Sequence, residues 1–222
     1  MTSFIIKIIA CITMVLDHIK YAIPETECFL TTYFGRLAFP LFAFLLVEGY
    51  SHTSDLKKYY KRLCIFALIS QIPFMMFRTL VGDWKLLNIM FTLLLGLVAI
   101  TILDKVKRKW ISIPVALTLI VLGKFIKVDY GWFGVATVVI LYLCRNKKKI
   151  LPYAFGALVA LYYYTMLKWR ILEAEYFFSA IFAWISVLLM AMYNGKQGRK
   201  MKYFFYWFYP VHMIIIYLVG LI

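Results

Sequence analysis

The sequence predicts an all-α membrane protein, a polytopic bundle of about nine transmembrane helices that forms a single domain over residues 1–222. Hydrophobic residues make up 64% of the chain and charged residues only 16%, whereas a soluble domain has about half and a quarter. The apolar residues fall in long runs, without the strict alternation of β-barrel strands. The loops between the runs also alternate in charge.

Each apolar run is expected to be one helix, because a bilayer core requires about 20 mostly apolar residues. The first run continues into DHIKYAI without a small-residue cleavage pattern, which favours a retained helix over a signal peptide. Pro73 is expected to kink the third, and KFIKVDYGW interrupts the pattern between the fifth and sixth. The predicted spans are 4–23, 33–51, 62–78, 86–103, 110–126, 131–145, 150–167, 176–193 and 203–222.

The basic residues indicate how the bundle is oriented. The even-numbered loops carry KKYYKR, KVKRK, RNKKK and KQGRKMK, 16 Lys and Arg in total. The odd-numbered loops carry six, namely Arg78, Lys85, Lys124, Lys127, Lys168 and Arg170. The positive-inside rule therefore predicts a multi-pass protein of the cytoplasmic membrane, with its N-terminus in the cytoplasm and its C-terminus outside. The basic clusters are short and lie between spans, which favours the lipid bilayer as partner and excludes nucleic acid.

Ionisable side chains within the predicted spans are candidates for function, because they are costly in hydrocarbon. Asp17 and Arg36 are both predicted in the outer third of the membrane, Asp17 about 20 Å from the cytoplasmic edge, where they can form an ion pair. His18 is a candidate general base, since burial favours neutral imidazole. The structural alternatives are a helix-joining ion pair and an interhelical hydrogen bond. Adjacent helical residues point about 100° apart, so Asp17 is not expected to orient His18.

The cytoplasmic end carries a second polar group. Glu48 and His52 are four residues apart on one helix face, and Lys58 and Arg62 follow them. Basic side chains there can hold a phosphate-rich ligand, although the lysines are also explained as a topogenic loop. His212 is predicted near the membrane midplane, about 13 Å from the cytoplasmic edge. Asn88, Asp129 and Tyr130 are predicted near the outer side. The four cysteines have no CxxC spacing, so no metal site or disulfide framework is expected.

These residues occur within a series of short motifs. They are IIKIIACITMVLDH, GRLAFPLFAFLLVEGYSHTSDLKKYYKRL, SQIPF, LNIMFTLLLGL, DYGWFGV and FYWFYPVHMIIIYLV. Their order resembles the TraX family of integral membrane proteins over almost the whole chain, and the GRLAFP and FYPVH blocks are the specific parts.

The resemblance implies acetyl transfer from acetyl-CoA to an amine, as in N-terminal acetylation of pilin. It implies a catalytic group of His18, Asp17, Arg36 and Asn88. It also points to Glu48, His52 and His212, which together with the basic residues Lys58 and Arg62 are predicted to form an acetyl-CoA site. It points to Asp129 as well, which with the adjacent Tyr130 is predicted to contact the acceptor. No metal is expected. His18 can act as general base in a direct transfer or carry the acetyl group itself, and Asn88 or Arg36 can stabilise the oxyanion.

Two matters stay open at the level of sequence. A proton-coupled transporter can also use a cluster such as Asp17, His18 and Arg36, although no inverted repeat or continuous polar file is evident. The acceptor can be a peptide amine, an amino sugar, a hydroxyl of a wall polymer or a lipid headgroup.

Overall fold

The computed structural model describes residues 1–82, 85–167 and 174–222. Over these ranges the chain is all-α, as predicted, and its only β feature is a single bridge between Leu87 and Val128. The helices are α1 (Ser3–Ala22), α2 (Phe29–Tyr33), α3 (Ala38–His52), α4 (Leu56–Thr79), α5 (Ile89–Lys105), α6 (Lys109–Phe125), α7 (Gly131–Cys144), α8 (Leu151–Leu167), α9 (Ala174–Ala191) and α10 (Lys202–Val219). A 3-10 turn over Phe34–Leu37 joins α2 to α3.

Each predicted span corresponds to one helical segment when α2, the 3-10 turn and α3 are taken together. The largest difference is at α4, which begins at Leu56, ahead of the predicted start at residue 62. Its polar first turn is helical because the Asp55 carboxylate caps it, accepting a hydrogen bond of 2.9 Å from the Lys58 amide. Sequence hydropathy did not include this turn, since its side chains are basic.

Two described segments are long and apolar enough to cross a membrane, Phe29–His52 and Leu56–Thr79. Three further apolar helices, Gly131–Cys144, Tyr176–Ala191 and Tyr203–Val219, are shorter than a full span. The prediction of nine crossings, and that of the orientation of the termini, therefore stay predictions.

The four basic loops lie at one end of the bundle, which we call the basic end. Side chains join the C-terminal ends of α3, α5 and α7 there, because Asp104 accepts hydrogen bonds from Tyr50 at 2.7 Å and Tyr142 at 2.6 Å. Phe44 packs edge-on against Tyr193, just after α9. The start of α1 is tied to the loop before α10 by hydrogen bonds from the amides of residues 3 and 4.

The opposite end is closed by backbone contacts between the odd-numbered loops. The amide of Leu87 donates to the Lys127 carbonyl at 3.0 Å, and the amide of Asp129 donates back to the Leu87 carbonyl at 2.8 Å. The loops that carry Arg78, Lys85 and Lys127 are therefore on this side. Lys168 and Arg170, which were also counted here, lie outside the described residues.

The helices that frame the site are α1, α3, α5 and α10. The last helix packs between α1 and α4, so that the two ends of the sequence meet in space. Gly134 of α7 lies directly against the Thr92 side chain of α5, where any side chain at 134 would collide with the threonine methyl. This close approach positions the turn before α7 over the site.

Candidate active site

Two histidines that are 194 residues apart in sequence form the centre of the site. Nδ1 of His18 on α1 lies 3.0 Å from Nε2 of His212 on α10. The rings are nearly parallel, with centroids 5.3 Å apart and an interplanar angle of 22°. His212 is only 6% exposed. This pairing defines one hydrogen-bonded unit, which we call the histidine pair.

The hydrogen bonds of the pair fix which nitrogens carry protons. Nδ1 of His212 lies 2.9 Å from the carbonyl oxygen of Phe208. A carbonyl can only accept, so Nδ1 of His212 must donate, and neutral His212 then presents a lone pair at Nε2. His18 must donate from Nδ1 to that lone pair. Nε2 of His18 is then also unprotonated, and unlike Nε2 of His212 it takes no part in the hydrogen bond within the pair, which is the state required of a general base.

Aromatic rings hold both imidazoles in place. The Phe77 ring of α4 meets His18 edge-on at 5.0 Å between centroids. Phe208 stacks on His212 at 5.3 Å with an interplanar angle of 14°. These apolar neighbours supply no competing hydrogen bond to the rings, so His212 is the partner that sets the orientation of His18.

An ion pair lies beside the histidine pair, as the sequence predicted. The Arg36 guanidinium lies 3.7 Å from Oδ1 of Asp17, and the Lys20 ammonium lies at the same distance from that oxygen. The side chain of Asp17 is 13% exposed and that of Arg36 is 28% exposed. One carboxylate thus faces two cations, and the group carries a net positive charge.

Gly35 allows this ion pair to form. A Cβ atom at position 35 would lie 2.5 Å from Cβ of Asp17, 2.7 Å from its Oδ1 and 2.8 Å from its Cα. Only glycine permits the 3-10 turn to approach α1 so closely. The close contact with Asp17 therefore explains why the residue before Arg36 in the GRLAFP motif is glycine.

Two cavities lie next to the ion pair of Asp17 and Arg36. The smaller, of about 60 Å³, is lined by both members of the Asp17–His18 dipeptide and extends to Tyr209 and Phe205 of α10. The larger, of about 390 Å³, is lined by Lys20, Glu27, Arg36 and a group of tyrosines from α1, α8, α9 and the turn before α7. We call them the histidine cavity and the tyrosine cavity.

The stacked rings of Phe39 and Tyr130 form the partition between the two cavities, since both residues line both spaces. Their centroids are 4.4 Å apart with an interplanar angle of 14°. Tyr130 is in the left-handed conformation, with φ of 61°, which costs a side-chain-bearing residue about 1 kcal/mol. Asp17 faces the histidine cavity while Arg36 lines the tyrosine cavity, so the ion pair also lies on this boundary.

Asp129 lines the histidine cavity from the loop between α6 and α7. Its carbonyl accepts a hydrogen bond of 2.6 Å from the Thr92 hydroxyl, and its carboxylate accepts one of 3.1 Å from the Tyr130 amide. Burial raises the pKa of Asp129 to about 6, and the nearby Arg78 opposes that rise. The predicted pair Asp129–Tyr130 is therefore at the site, next to the partition.

Asn88 has a different environment from the one expected of an oxyanion donor. Its Oδ1 caps α5 by accepting from the Met90 amide at 2.9 Å. Its Nδ2 donates to the Ala67 carbonyl at 2.7 Å and to Oε1 of Gln71 at 2.9 Å. The amide protons of Asn88 are thus already occupied within the protein, and the residue is completely buried. The structure makes Asn88 a helix cap that ties α4 to α5.

The predicted phosphate-binding residues are at the basic end, away from the histidine pair. His52 is exposed and its Nδ1 lies 2.9 Å from the Glu48 carbonyl. Lys58 is exposed and pairs with Asp55 at 3.1 Å. Arg62 differs from these, because its guanidinium lies over the Tyr59 ring at 5.6 Å and beside the Tyr206 hydroxyl of α10. Arg62 is therefore the one that contacts the helix bearing His212.

His212, which was predicted to contact the cofactor, lies against His18; its contact with a cofactor stays a prediction. Sequence reasoning also missed Lys20, which is three residues from Asp17 and could have been found by helical spacing. Tyr209 was missed as well, although it lies inside the FYPVH motif. Among the residues that the structure describes, no group of three His, Cys, Asp or Glu is arranged to hold a metal ion.

These features define an all-α, partly apolar protein whose first and last helices form a histidine pair beside two adjoining cavities. Residues 3–220 match the family described as TraX protein. The chain belongs to the TraX family. It is 29% identical to the "Probable fimbrial assembly protein FimC, serogroup H1" of Dichelobacter nodosus, over an alignment that covers 97% of this chain and 94% of the relative. No solved structure matches the chain.

Proposed function

We propose that this protein is a membrane-embedded acetyltransferase that moves an acetyl group from cytoplasmic acetyl-CoA to an amine or hydroxyl of an exported or membrane-associated acceptor. The observation that carries the proposal is the histidine pair. Its hydrogen bonds leave Nε2 of His18 unprotonated, and His18 lines a small cavity next to a larger cavity with polar walls. Membership of the TraX family, and the likeness to a fimbrial assembly protein, agree with an acceptor related to fimbriae.

His18 acts as the general base in this mechanism. Nε2 of His18 takes a proton from the acceptor nitrogen or oxygen as that atom attacks the carbonyl carbon of the thioester. His212 stabilises the resulting imidazolium through the hydrogen bond to Nδ1. The tetrahedral centre then expels the thiolate of CoA, which takes the same proton from His18. The acetyl group has moved and His18 has returned to its starting state.

The dimensions of the two cavities suit different partners. The histidine cavity, of about 60 Å³, has room for only a few water-sized groups, which matches the acetyl end of the donor. The tyrosine cavity, of about 390 Å³, is large enough for a sugar or the end of a peptide. Its lining includes Lys20, Glu27 and Arg36, so it offers both signs of charge to a polar acceptor.

The donor would approach from the basic end. Arg62 lies beside Tyr206, which is six residues before His212 on α10, or about 9 Å along the helix axis. Phe205, next to Tyr206, lines the inner part of the histidine cavity. Phosphates held by Arg62, Lys58 and His52 would leave the thin arm of acetyl-CoA to reach His18 between α1 and α10.

The exposed surface favours a lipid environment for this chemistry. Large apolar side chains stand outward along α6 and α10, with Trp110 and Phe125 at the two ends of α6 each 74% exposed. Exposed apolar surface of this extent is characteristic of contact with lipid. The proposed location is the cytoplasmic membrane, with the basic end in the cytoplasm.

The test is acetyl transfer in inverted membrane vesicles supplied with radiolabelled acetyl-CoA. Wild-type vesicles should release CoA and place label on a membrane or envelope acceptor. His18→Gln should lower kcat by about 10²- to 10⁴-fold, the usual contribution of a general base. His52→Gln is the matched comparison, because the third histidine lies at the basic end and should change KM for acetyl-CoA rather than kcat.

Three outcomes would refute or change this proposal. Turnover that is unchanged in His18→Gln would refute the role of His18. Label that appears on His18 itself in rapid-quench samples would replace direct transfer with an acetyl-histidine intermediate. Proton flux without acetyl transfer would favour the transporter.

A further inference from the structure

The Tyr209 hydroxyl is buried with no acceptor for its proton. The residue is 3% exposed, and among the residues that the structure describes its hydroxyl has no hydrogen-bond partner. A buried polar group left unsatisfied costs about 1–3 kcal/mol, so native structures retain few of them without a reason. Phenylalanine at this position would fill the same space without the cost.

The position of Tyr209 suggests that reason. It lines the histidine cavity together with His18, and its ring lies 5.6 Å from that of His212, three residues further along α10. Tyr209 thus forms part of the wall of the small space that the proposed mechanism assigns to the acetyl thioester.

The first turn of α5 improves the hydroxyl as a donor. The amide of Ile89, in that turn, faces the Tyr209 oxygen without making a hydrogen bond of ordinary geometry. An amide can only donate, so it leaves the hydroxyl proton without an acceptor. The positive end of a helix next to the oxygen polarises the O–H bond and strengthens its donation to a third group.

Three other candidate donors are committed elsewhere or line the other cavity. Asn88 has its amide protons committed to Ala67 and Gln71. Arg36 lines the tyrosine cavity, beyond Asp17. The Tyr130 amide donates to the Asp129 carboxylate. A negative charge develops on the carbonyl oxygen during acetyl transfer, so the reaction requires a hydrogen-bond donor there. Tyr209 lines the cavity and has a hydroxyl proton that no acceptor takes up.

We propose that Tyr209 is a catalytic residue whose hydroxyl donates a hydrogen bond to the carbonyl oxygen of the acyl thioester and to the oxyanion that forms from it. This inference rests on the acetyl transfer proposed above. The acceptor atom forms its bond to the carbonyl carbon, the carbonyl π electrons move to the oxygen, and the displaced proton goes to His18. The C–O double bond then re-forms, the C–S bond breaks, and the thiolate takes the proton from His18. Tyr209 keeps its own proton throughout.

The experiment compares Tyr209→Phe with Tyr203→Phe, in which a 63% exposed tyrosine of the same helix loses its hydroxyl. Tyr209→Phe should lower kcat by about 10²- to 10³-fold, the effect of removing one oxyanion donor, while KM for acetyl-CoA changes little. Tyr203→Phe should keep both constants. In isotope-edited infrared spectra, the carbonyl band of bound ¹³C-acetyl-CoA should lie at lower frequency with the wild type than with Tyr209→Phe.

The melting temperature separates catalysis from structure. Because the hydroxyl lacks an acceptor, Tyr209→Phe should melt at or above the wild-type temperature. A lower melting temperature would assign the hydroxyl a structural partner and overturn the inference. An active wild type with an equally active Tyr209→Phe would overturn it while leaving the proposed function intact. A wild type that transfers no acetyl group would remove both.

Discussion

Replacing Gly35 by alanine tests whether the close approach of the 3-10 turn to α1 organises the site. The new Cβ would lie 2.5 Å from Cβ and 2.8 Å from Cα of Asp17. Neither atom can move away by rotation of a side chain, so α1 or the turn must shift. Overpacking of this kind costs about 1–3 kcal/mol, and contact with the backbone favours the upper half of that range.

The expected loss of stability can be converted into a melting temperature. For a chain of this size each kcal/mol corresponds to about 2–4 °C, so Gly35→Ala should melt about 4–12 °C lower. The turn and the dipeptide Asp17–His18 move together, and a displacement of about 1 Å can cost about 10²-fold in rate. Purified protein in detergent would be followed by circular dichroism during heating, and by CoA release at a temperature where it is folded.

Gly156→Ala supplies the control. A Cβ there would lie 3.1 Å from Nε1 of Trp184, a partly exposed side chain that can yield. Within α8 the alanine also gains about 0.5–1 kcal/mol of helix propensity. Its melting temperature should stay within about 2 °C of the wild type or rise. If Gly35→Ala had the same melting temperature as Gly156→Ala and kept its activity, the steric argument for the site would be refuted.

Three further changes test the roles of individual side chains. His212→Phe should lower kcat by about 10²-fold or more with little change in KM, because His18 loses the acceptor that fixes its tautomer. CoA release measures both constants, and an unchanged kcat would remove His212 from the mechanism. Asn88→Ala should lower the free energy of unfolding by about 2 kcal/mol, because the cap of α5 and the side-chain hydrogen bonds to α4 are lost. A loss of kcat in a protein with wild-type melting would instead support a catalytic role for Asn88. Burial raises the pKa of Asp129 to about 6 from an ordinary 3.8, so the folded state favours its neutral form. Stability contributed by this group is present below about pH 4 and declines as the pH rises to about 6; melting curves of Asp129→Asn should lack that decline, and parallel curves for both proteins would contradict it.

The helices were predictable because their signal is local. Long apolar runs and their flanking charges predicted most helical segments to within a few residues. The depths counted along the helices predicted that Asp17 and Arg36 lie at a similar level and can pair. The extra turn of α4 was missed because a cap at Asp55, rather than hydropathy, determines where that helix begins.

The contacts of the site residues were harder to predict from the sequence, since they form between segments that are distant along the chain. Counting from the cytoplasmic edge placed His18 and His212 at different depths, because it assumed a common starting level for α1 and α10. The loop before α10 accepts hydrogen bonds from the amides of residues 3 and 4, and this contact ties the start of α1 to the start of α10. Likewise, the motif LNIMF does not indicate that the side-chain amide of Asn88 donates hydrogen bonds to Ala67 and Gln71 of α4.

The separation of the histidine pair in sequence also has a consequence for biosynthesis. A ribosome adds about 5–20 residues per second, so α10 emerges about 10–40 s after α1. During that interval His18 has no imidazole partner and no defined tautomer. Under the proposed mechanism, the nascent chain would therefore stay inactive until α10 packs against α1, and a fragment released before α10 would lack an oriented general base.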